Sequence, residues 1–271
     1  MPRKRLSRGL GRLASAATGR GFLERAIAAY VRAYDVDLTD AVIPADGFRT
    51  FDEFFTRALV PGARPIEGDE RTLACPADGR IDDEGPIHRG AVFEVKGRDY
   101  SVDELLGEDA ARFDGGRFSI VYLSPRDYHR VHAPVSGPVH TVRHVGGTLL
   151  PVNAFGVASY PNLFARNERV VLIQRGLGGE VATVLVGAIG VGRISVSFDP
   201  SVMTNVGRGP TTVRYDEATA PQIERGDELG IFHLGSTAIV LTTPEVGAEL
   251  LPRSSPTVRM GQALATSEEP S

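Results

Sequence analysis

The sequence predicts an α+β protein, a mostly antiparallel β barrel or sandwich core with amphipathic helices gathered at the N-terminus. Three observations carry that expectation. From residue 72 onward the chain runs in short alternating apolar segments, the period of half-buried strands. Those segments are punctuated by turn formers, with 31 Gly and 18 Pro among 271 residues. Helical periodicity is concentrated before residue 60. Hydrophobic content of 42% and charged content of 24% are ordinary for a globular chain able to bury a core. The single cysteine, Cys75, excludes an internal disulfide framework and a cysteine-cluster metal site, and suits a reducing compartment.

In chain order, Leu23, Ile27, Tyr30, Val31 and Tyr34 fall on one stripe of a helix, with Arg25 and Arg32 opposite. Such a helix can dock on the protein core, lie on an anionic bilayer, or do both. "RTFDEFFTRAL" (49–59) predicts a second helix, with Thr50 and Glu53 as a capping box. Phe51, Phe54, Phe55 and Leu59 form its apolar, packing side, and Pro61 and Pro65 follow it. Strands are expected in "GAVFEV" (90–95), "RFSIVYLSP" (117–125), "GPVHTVRHVGG" (137–147), "RVVLIQRG" (169–176), "EVATVLVGAIGVGRISVSF" (180–198) and "STAIVLTT" (236–243). One short helix interrupts them at "SVDELLG" (101–107), where Ser101 and Glu104 repeat the capping pattern. No fixed-period repeat is present, and low complexity is confined to "TSEEPS" at the end.

Charge is unevenly placed. Residues 1–34 hold eight Lys/Arg against Glu24, a balance of +7, which leaves −11 on the rest of a chain whose net charge is −4. A basic stripe of this kind gains about 1 kcal/mol per Lys or Arg near an anionic membrane. No run approaches the roughly 18 apolar residues of a spanning helix. A secretory signal is not expected, because no uninterrupted apolar run follows the basic start. The Arg-rich, acid-poor composition by itself also suits a transit peptide.

Several motifs read as structure. "GAIGVG" (187–192) lacks dinucleotide-loop spacing and is followed by a strand where a helix should begin, so bends or bulges explain it. No metal site is expected: H-E-x-x-H is absent, and His88, His140, His144 and His233 read as structural or surface residues. "CPADGRI" (75–81) reads alone as a type I or II turn on Asp78-Gly79. "SPRDYHRVHAPVSG" (124–137) is less ordinary, with Tyr128 and two histidines three apart. So is "GIFHLGSTAIVL" (230–241), which spends Gly235 and Ser236 between two apolar runs.

Together these segments resemble the phosphatidylserine decarboxylases. The resemblance rests on "PADG" (76–79), "DYHRVHAPVSG" (127–137), "YPNLFARNERV" (160–170) and "LGST" (234–237). "FRTFDEFFTRAL…ARPI" (48–66), "VKGRDYSVDELLG" (95–107), "RGDELGIFHLGST" (225–237) and "VRMGQALA" (258–265) extend it over nearly the whole chain. The basic start fits the bacterial form of that family, which argues against a removable transit peptide.

The resemblance implies a carboxy-lyase that makes its own cofactor. The Gly235–Ser236 bond is broken, giving a β chain (1–235) and an α chain (236–271), and Ser236 becomes a covalent pyruvoyl group. Asp78, His132 and Ser236 would form the self-cleavage triad: carboxylate, base and nucleophile. The pyruvoyl group (pyruvate as cofactor) would form a Schiff base with the serine amine of phosphatidylserine and act as an electron sink for loss of CO2. His129 would return the proton. If residues 129–132 stay extended, the two histidines point to opposite faces, so a shared pocket requires a kink before Pro134. Residues 1–66 would be a basic, helical membrane-docking region and residues 67–271 the β-rich catalytic domain. The expected setting is peripheral, on the cytoplasmic side of the cell membrane, as a homo-oligomer without a nucleic-acid partner.

Two features stay open at this level. Asn167, Glu168 and Arg169 either line the pocket or hold their loop, and His233 and Cys75 depart from the family pattern without replacing a residue assigned a role. The rival reading is a serine hydrolase using the same Asp78, His132 and Ser236. Against it, Ser236 sits in LGST and not in a G-x-S-x-G elbow. A third reading is an archaetidylserine decarboxylase, which shares the LGST logic.

Overall fold

The computed structural model describes Ala14 and residues 19–88, 90–189, 193–206, 209–233 and 236–267. Arg3 to Arg12 of the basic segment, Gly190–Gly192 of the glycine-rich run, Leu234 and Gly235 of the LGST step, and residues 268–271 lie outside the described residues.

Helix α1 (Arg20–Tyr34) follows the apolar stripe. That stripe is spent on the protein: Ile27, Tyr30 and Val31 pack with Val36, Phe54 and Phe55, and the Tyr30 hydroxyl donates to the Pro125 carbonyl at 3.1 Å. Helix α2 (Phe51–Phe55) opens as the capping box predicts, with the Thr50 side chain accepting from the Glu53 N–H at 3.0 Å. It is shorter than expected. Residues 58–60 leave the helix to pair with 40–42, Ala41 bridging Leu59, while the Thr56 hydroxyl folds back onto the Asp52 carbonyl at 2.7 Å.

The β region contains β1 (Thr72–Ala74), β2 (Gly79–Pro86), a hairpin of β3 (Val92–Val95) and β4 (Arg98–Ser101), then α3 (Val102–Leu106). Next come β5 (Arg117–Leu123), β6 (Arg130–His132), β7 (Gly137–Val145), α4 (Ala154–Ser159), α5 (Leu163–Arg166), β8 (Arg169–Gly176) and β9 (Gly179–Gly187). The chain closes with β10 (Arg193–Val196), β11 (Thr211–Arg214), β12 (Gln222–Ile223), β13 (Glu228–His233), β14 (Ser236–Thr242), β15 (Ala248–Leu250), β16 (Thr257–Val258) and β17 (Ala263–Ser267).

The main sheet runs β11-β7-β8-β9-β14-β5-β2-β16, with β12 also on β7. It is open at both ends, so the core is a sandwich and not a closed barrel. Strand β14 lies at its centre, antiparallel to β5 on one side and β9 on the other, and all seven of its residues are buried. A small sheet, β1-β17-β15, covers part of the main sheet: Val181 and Val240 pack there against Leu73, Ala248, Leu264 and Ala265. The larger core gathers Phe93, Tyr100, Leu105, Phe118 and Ile239.

A second small sheet, β10-β13-β6, matters most for the site. The expected single strand across 180–198 divides between sheets: β9 ends in the main sheet at Gly187, and β10 begins in the small one at Arg193. The same division occurs at LGST. Strand β13 ends at His233 in the small sheet and β14 begins at Ser236 in the main one, so the chain changes sheets between these two residues. Two further helices, α4 and α5, interrupt the strands where the sequence predicted none. Asn153 caps α4 by accepting from the Gly156 N–H at 3.0 Å.

Candidate active site

Ser236 opens β14, its backbone level with Leu123 on β5 and Gly187 on β9. It is 1% exposed, and its hydroxyl has no hydrogen-bond partner among the described residues; the next side chain, Thr237, shares that condition. A buried unmatched hydroxyl costs about 1–3 kcal/mol, so its retention at this strand end calls for an explanation beyond stability.

His132 lies on β6. Its Nδ1–H donates to the Gly226 carbonyl at 2.7 Å, which leaves the ring's lone pair on Nε2, where the Tyr128 hydroxyl meets it at 3.0 Å. Burial pushes the His132 pKa down, against the pull of the Gly226 carbonyl. The phenol of Tyr128 is pushed up by its own burial and stays a donor. The ring is thus a neutral base with its basic nitrogen capped.

Asp78 is not a turn residue. It sits in a bend leading into β2, and Gly79 is required for close approach, since a Cβ there would stand 2.4 Å from the Tyr122 carbonyl oxygen. The Asp78 carboxylate accepts from Arg64 Nη2 at 2.6 Å, from Arg64 Nε at 3.0 and 3.1 Å, and from the Met260 N–H at 2.8 Å. No hydrogen bond joins it to His132 among the described residues. Its charge still favours protonation of that ring, although weakly compared with the burial effect. A cavity of about 260 Å³ opens beside Asp78 and Tyr128, lined also by Arg57, Arg64, Asp127 and Arg259.

His129 precedes β6 and is fully buried. Its Nδ1–H donates to the Asp127 carbonyl at 2.7 Å, its ring lies 4.0 Å from that of Phe55, and its Nε2 has no partner among the described residues. Burial lowers its pKa to about 3, with the Asp127 carbonyl opposing and Arg57 adding to the depression. Residues 130–132 are regular strand, and the two histidine rings go to different neighbours: Phe55 for one, Tyr128 for the other. The kink expected before Pro134 lies beyond those three residues, where Ala133 leaves the strand and Pro134 and Val135 form a bend.

A sequence model of the phosphatidylserine decarboxylase family matches residues 51–266. The chain is 46% identical to a phosphatidylserine decarboxylase proenzyme of Pseudomonas aeruginosa, over 98% of this chain and 93% of that protein. It is 44% identical to the proenzyme of Pseudomonas putida and 40% identical to that of Brevibacillus brevis, with 98% of this chain covered in each case and 94% and 95% of those proteins. The chain belongs to the phosphatidylserine decarboxylase family.

In this decarboxylase, a carboxy-lyase by that membership, the FARNER segment holds its loop. Asn167 is fully buried; its side-chain amide donates to the carbonyls of Leu150 and Gly187 at 2.9 and 2.8 Å, and its oxygen accepts from the Leu150 N–H at 2.9 Å. Gly187 is the β9 neighbour of Ser236, so Asn167 braces the strand beside the nucleophile candidate. Arg169 is 2% exposed and donates to the carbonyls of Leu105, Asn167, Ala165 and Glu104. Glu168 meets His144 Nε2 at 3.1 Å, a buried pair.

One constellation went unread in the sequence. His233, taken as structural or surface, places its Nδ1 2.9 Å from both carboxylate oxygens of Asp52 on α2, and its Nε2 3.1 Å from the Ser195 hydroxyl on β10. The sequence signal was only the adjacency of His233 to LGST. Asp52 lies 181 positions away, and no spacing rule links the two.

Proposed function

We propose that this chain converts phosphatidylserine to phosphatidylethanolamine and CO2, after cutting itself between Gly235 and Ser236. The observation that carries the reading is the Ser236 hydroxyl: buried, unpartnered among the described residues, and fixed at the first position of a central strand. The proenzyme names of the relatives support the same sequence of events.

Ser236 Oγ attacks the Gly235 carbonyl, and its proton passes to a base. His132 holds its lone pair on Nε2 in the state a base needs, and Tyr128 must give up that nitrogen for the transfer. Asp78 acts through its charge in the described arrangement, with the Gly226 carbonyl orienting the ring. The C–N bond breaks as the ester forms. Loss of the Ser236 α-proton then releases the Gly235 carboxylate, and water replaces the nitrogen as ammonia, leaving a pyruvoyl cap on residues 236–271.

Ser236 fits that group, since a strand end with an unmatched polar atom can be converted to a ketone without breaking a side-chain hydrogen bond. When formed, the pyruvoyl group supplies an electron sink for the departing carboxylate. His129 is assigned the return of the proton. Its ring is neutral in this burial, so it must take up a proton before it can return one.

Membrane docking is assigned to the basic N-terminal region. The α1 stripe is used inside the protein, so docking rests on Arg20, Arg25 and Arg32 and on Phe22, which is 69% exposed. No helix among the described residues is long and apolar enough to cross a membrane. The reading is of a peripheral enzyme on the cytoplasmic face of the cell membrane.

The test is Ser236→Ala assayed in phosphatidylserine vesicles. The variant is expected to remain one chain on a denaturing gel and to release no CO2. Two chains, or CO2 release at the wild-type rate, would refute the reading.

A further inference from the structure

Four side chains outside the implied triad, Asp52, Arg193, Ser195 and His233, converge at the end of β13. Strand β13 ends at His233, whose cross-strand partner on β10 is Arg193. On its other side β6 pairs with β13 as far as Ile231, and the Phe232 N–H adds one bond to the His129 carbonyl at 2.9 Å, so among the described residues the backbone of His233 itself is held by a ladder on one side. Helix α2 occupies the space where β6 stops: Thr56 at its end accepts from Arg130 Nε at 2.9 Å, and Phe55 lies on His129. From there Asp52 reaches both members of the cross-strand pair. Its carboxylate meets His233 Nδ1 at 2.9 Å and Arg193 Nη2 at 3.2 Å, while Ser195 holds the far nitrogen of the same imidazole.

Three Cα steps separate His233 from Ser236, which the chain can span over at most ~10 Å. Ser236 is fixed by ladders on both sides, so the position of the Gly235 carbonyl relative to the attacking hydroxyl depends on how firmly His233 is held. We propose that Asp52 is a positioning residue for self-cleavage: through His233 and Arg193 it fastens the end of β13 and so sets the scissile bond against Ser236. The inference rests on the self-cleavage reading above. It also makes α2, part of the N-terminal region assigned to docking, a working component of maturation.

A displacement on the order of 1 Å in a reacting pair costs up to about 10²-fold in rate. In cell-free synthesis of the full chain, followed by a denaturing-gel time course, Asp52→Asn is expected to slow cleavage roughly 10- to 100-fold. Asp52→Glu, which keeps the carboxylate, should recover most of that loss. His233→Gln should slow cleavage comparably, and the Asp52→Asn/His233→Gln double variant should be no slower than the worse single one. Glu53→Ala, on the same helix but bonded to Arg49 instead of the strand, should be cleaved at the wild-type rate. If Asp52→Asn does not fold, His233→Gln tests the same clamp from the strand side.

Cleavage of the folded clamp variants at the wild-type rate would overturn the proposal. So would an equal slowing by Glu53→Ala, which would mean that α2 acts through general stability. A wild-type chain that is never cut would instead remove the self-cleavage reading itself.

Discussion

His129 and Ser236 each bury a polar atom that finds no partner among the described residues, and the two differ in what acid does to them. Ser236 does not titrate. His129 has its pKa lowered to about 3 by burial, against an ordinary value near 6.5 in an unfolded chain. Between those two values the unfolded chain binds a proton that the native one refuses, so stability rises with pH across the window and falls as pH drops from about 6.5 toward 3. In the uncut Ser236→Ala background, denaturant titrations at pH 7 and pH 4 should show an acid loss larger than that of Ser236→Ala/His129→Gln. The excess is expected on the order of 1–4 kcal/mol at pH 4. Equal losses would show that the ring is protonated freely in the native state. At this scale the sequence was informative where a residue's meaning is local. Asp78, His129, His132 and Ser236 were singled out by motif, whereas the contact of His233 with Asp52 exists only once folding brings the two together.

Elements follow the same logic. Strand β8 occupies residues 169–176 as the apolar run there predicts, and α3 lies inside its predicted segment behind a Ser101 cap. Periodicity could not show that residues 180–198 serve two sheets, because both halves are strand-like apolar runs and which sheet each joins is set by its pairing partners. Nor could it limit α2 to five residues, since the pairing of 58–60 with 40–42 is tertiary. The α4–α5 segment was missed because its helices are of only six and four residues, too short for a period to register. Its function is clearer in the structure: it delivers Asn167 to the carbonyls of Leu150 and Gly187. Asn167→Ala should therefore destabilise the uncut Ser236→Ala chain by about 2–4 kcal/mol, because buried backbone groups lose their partners. Urea unfolding provides the measurement, and a change below about 0.5 kcal/mol would show that the loop is braced by other contacts.

For the whole molecule, the central feature is a crossing between two sheets. The small sheet carries His132 and His233, the main sheet carries Ser236, and helix α2 closes on the small sheet through Phe55 and Asp52, while Arg64 in the following bend holds Asp78 beside β2. Arg20, Arg25 and Arg32 of the basic segment face solvent, while Tyr30 on the same helix packs with Phe54 and Phe55 of α2. Intact-mass spectrometry of freshly purified, active protein tests the central claim most directly. The account predicts two chains: residues 1–235 ending in an ordinary carboxylate, and residues 236–271 lighter by one ammonia than the unmodified peptide. A single chain of 271 residues with an unaltered serine at 236, in a preparation that releases CO2 from phosphatidylserine, would contradict it.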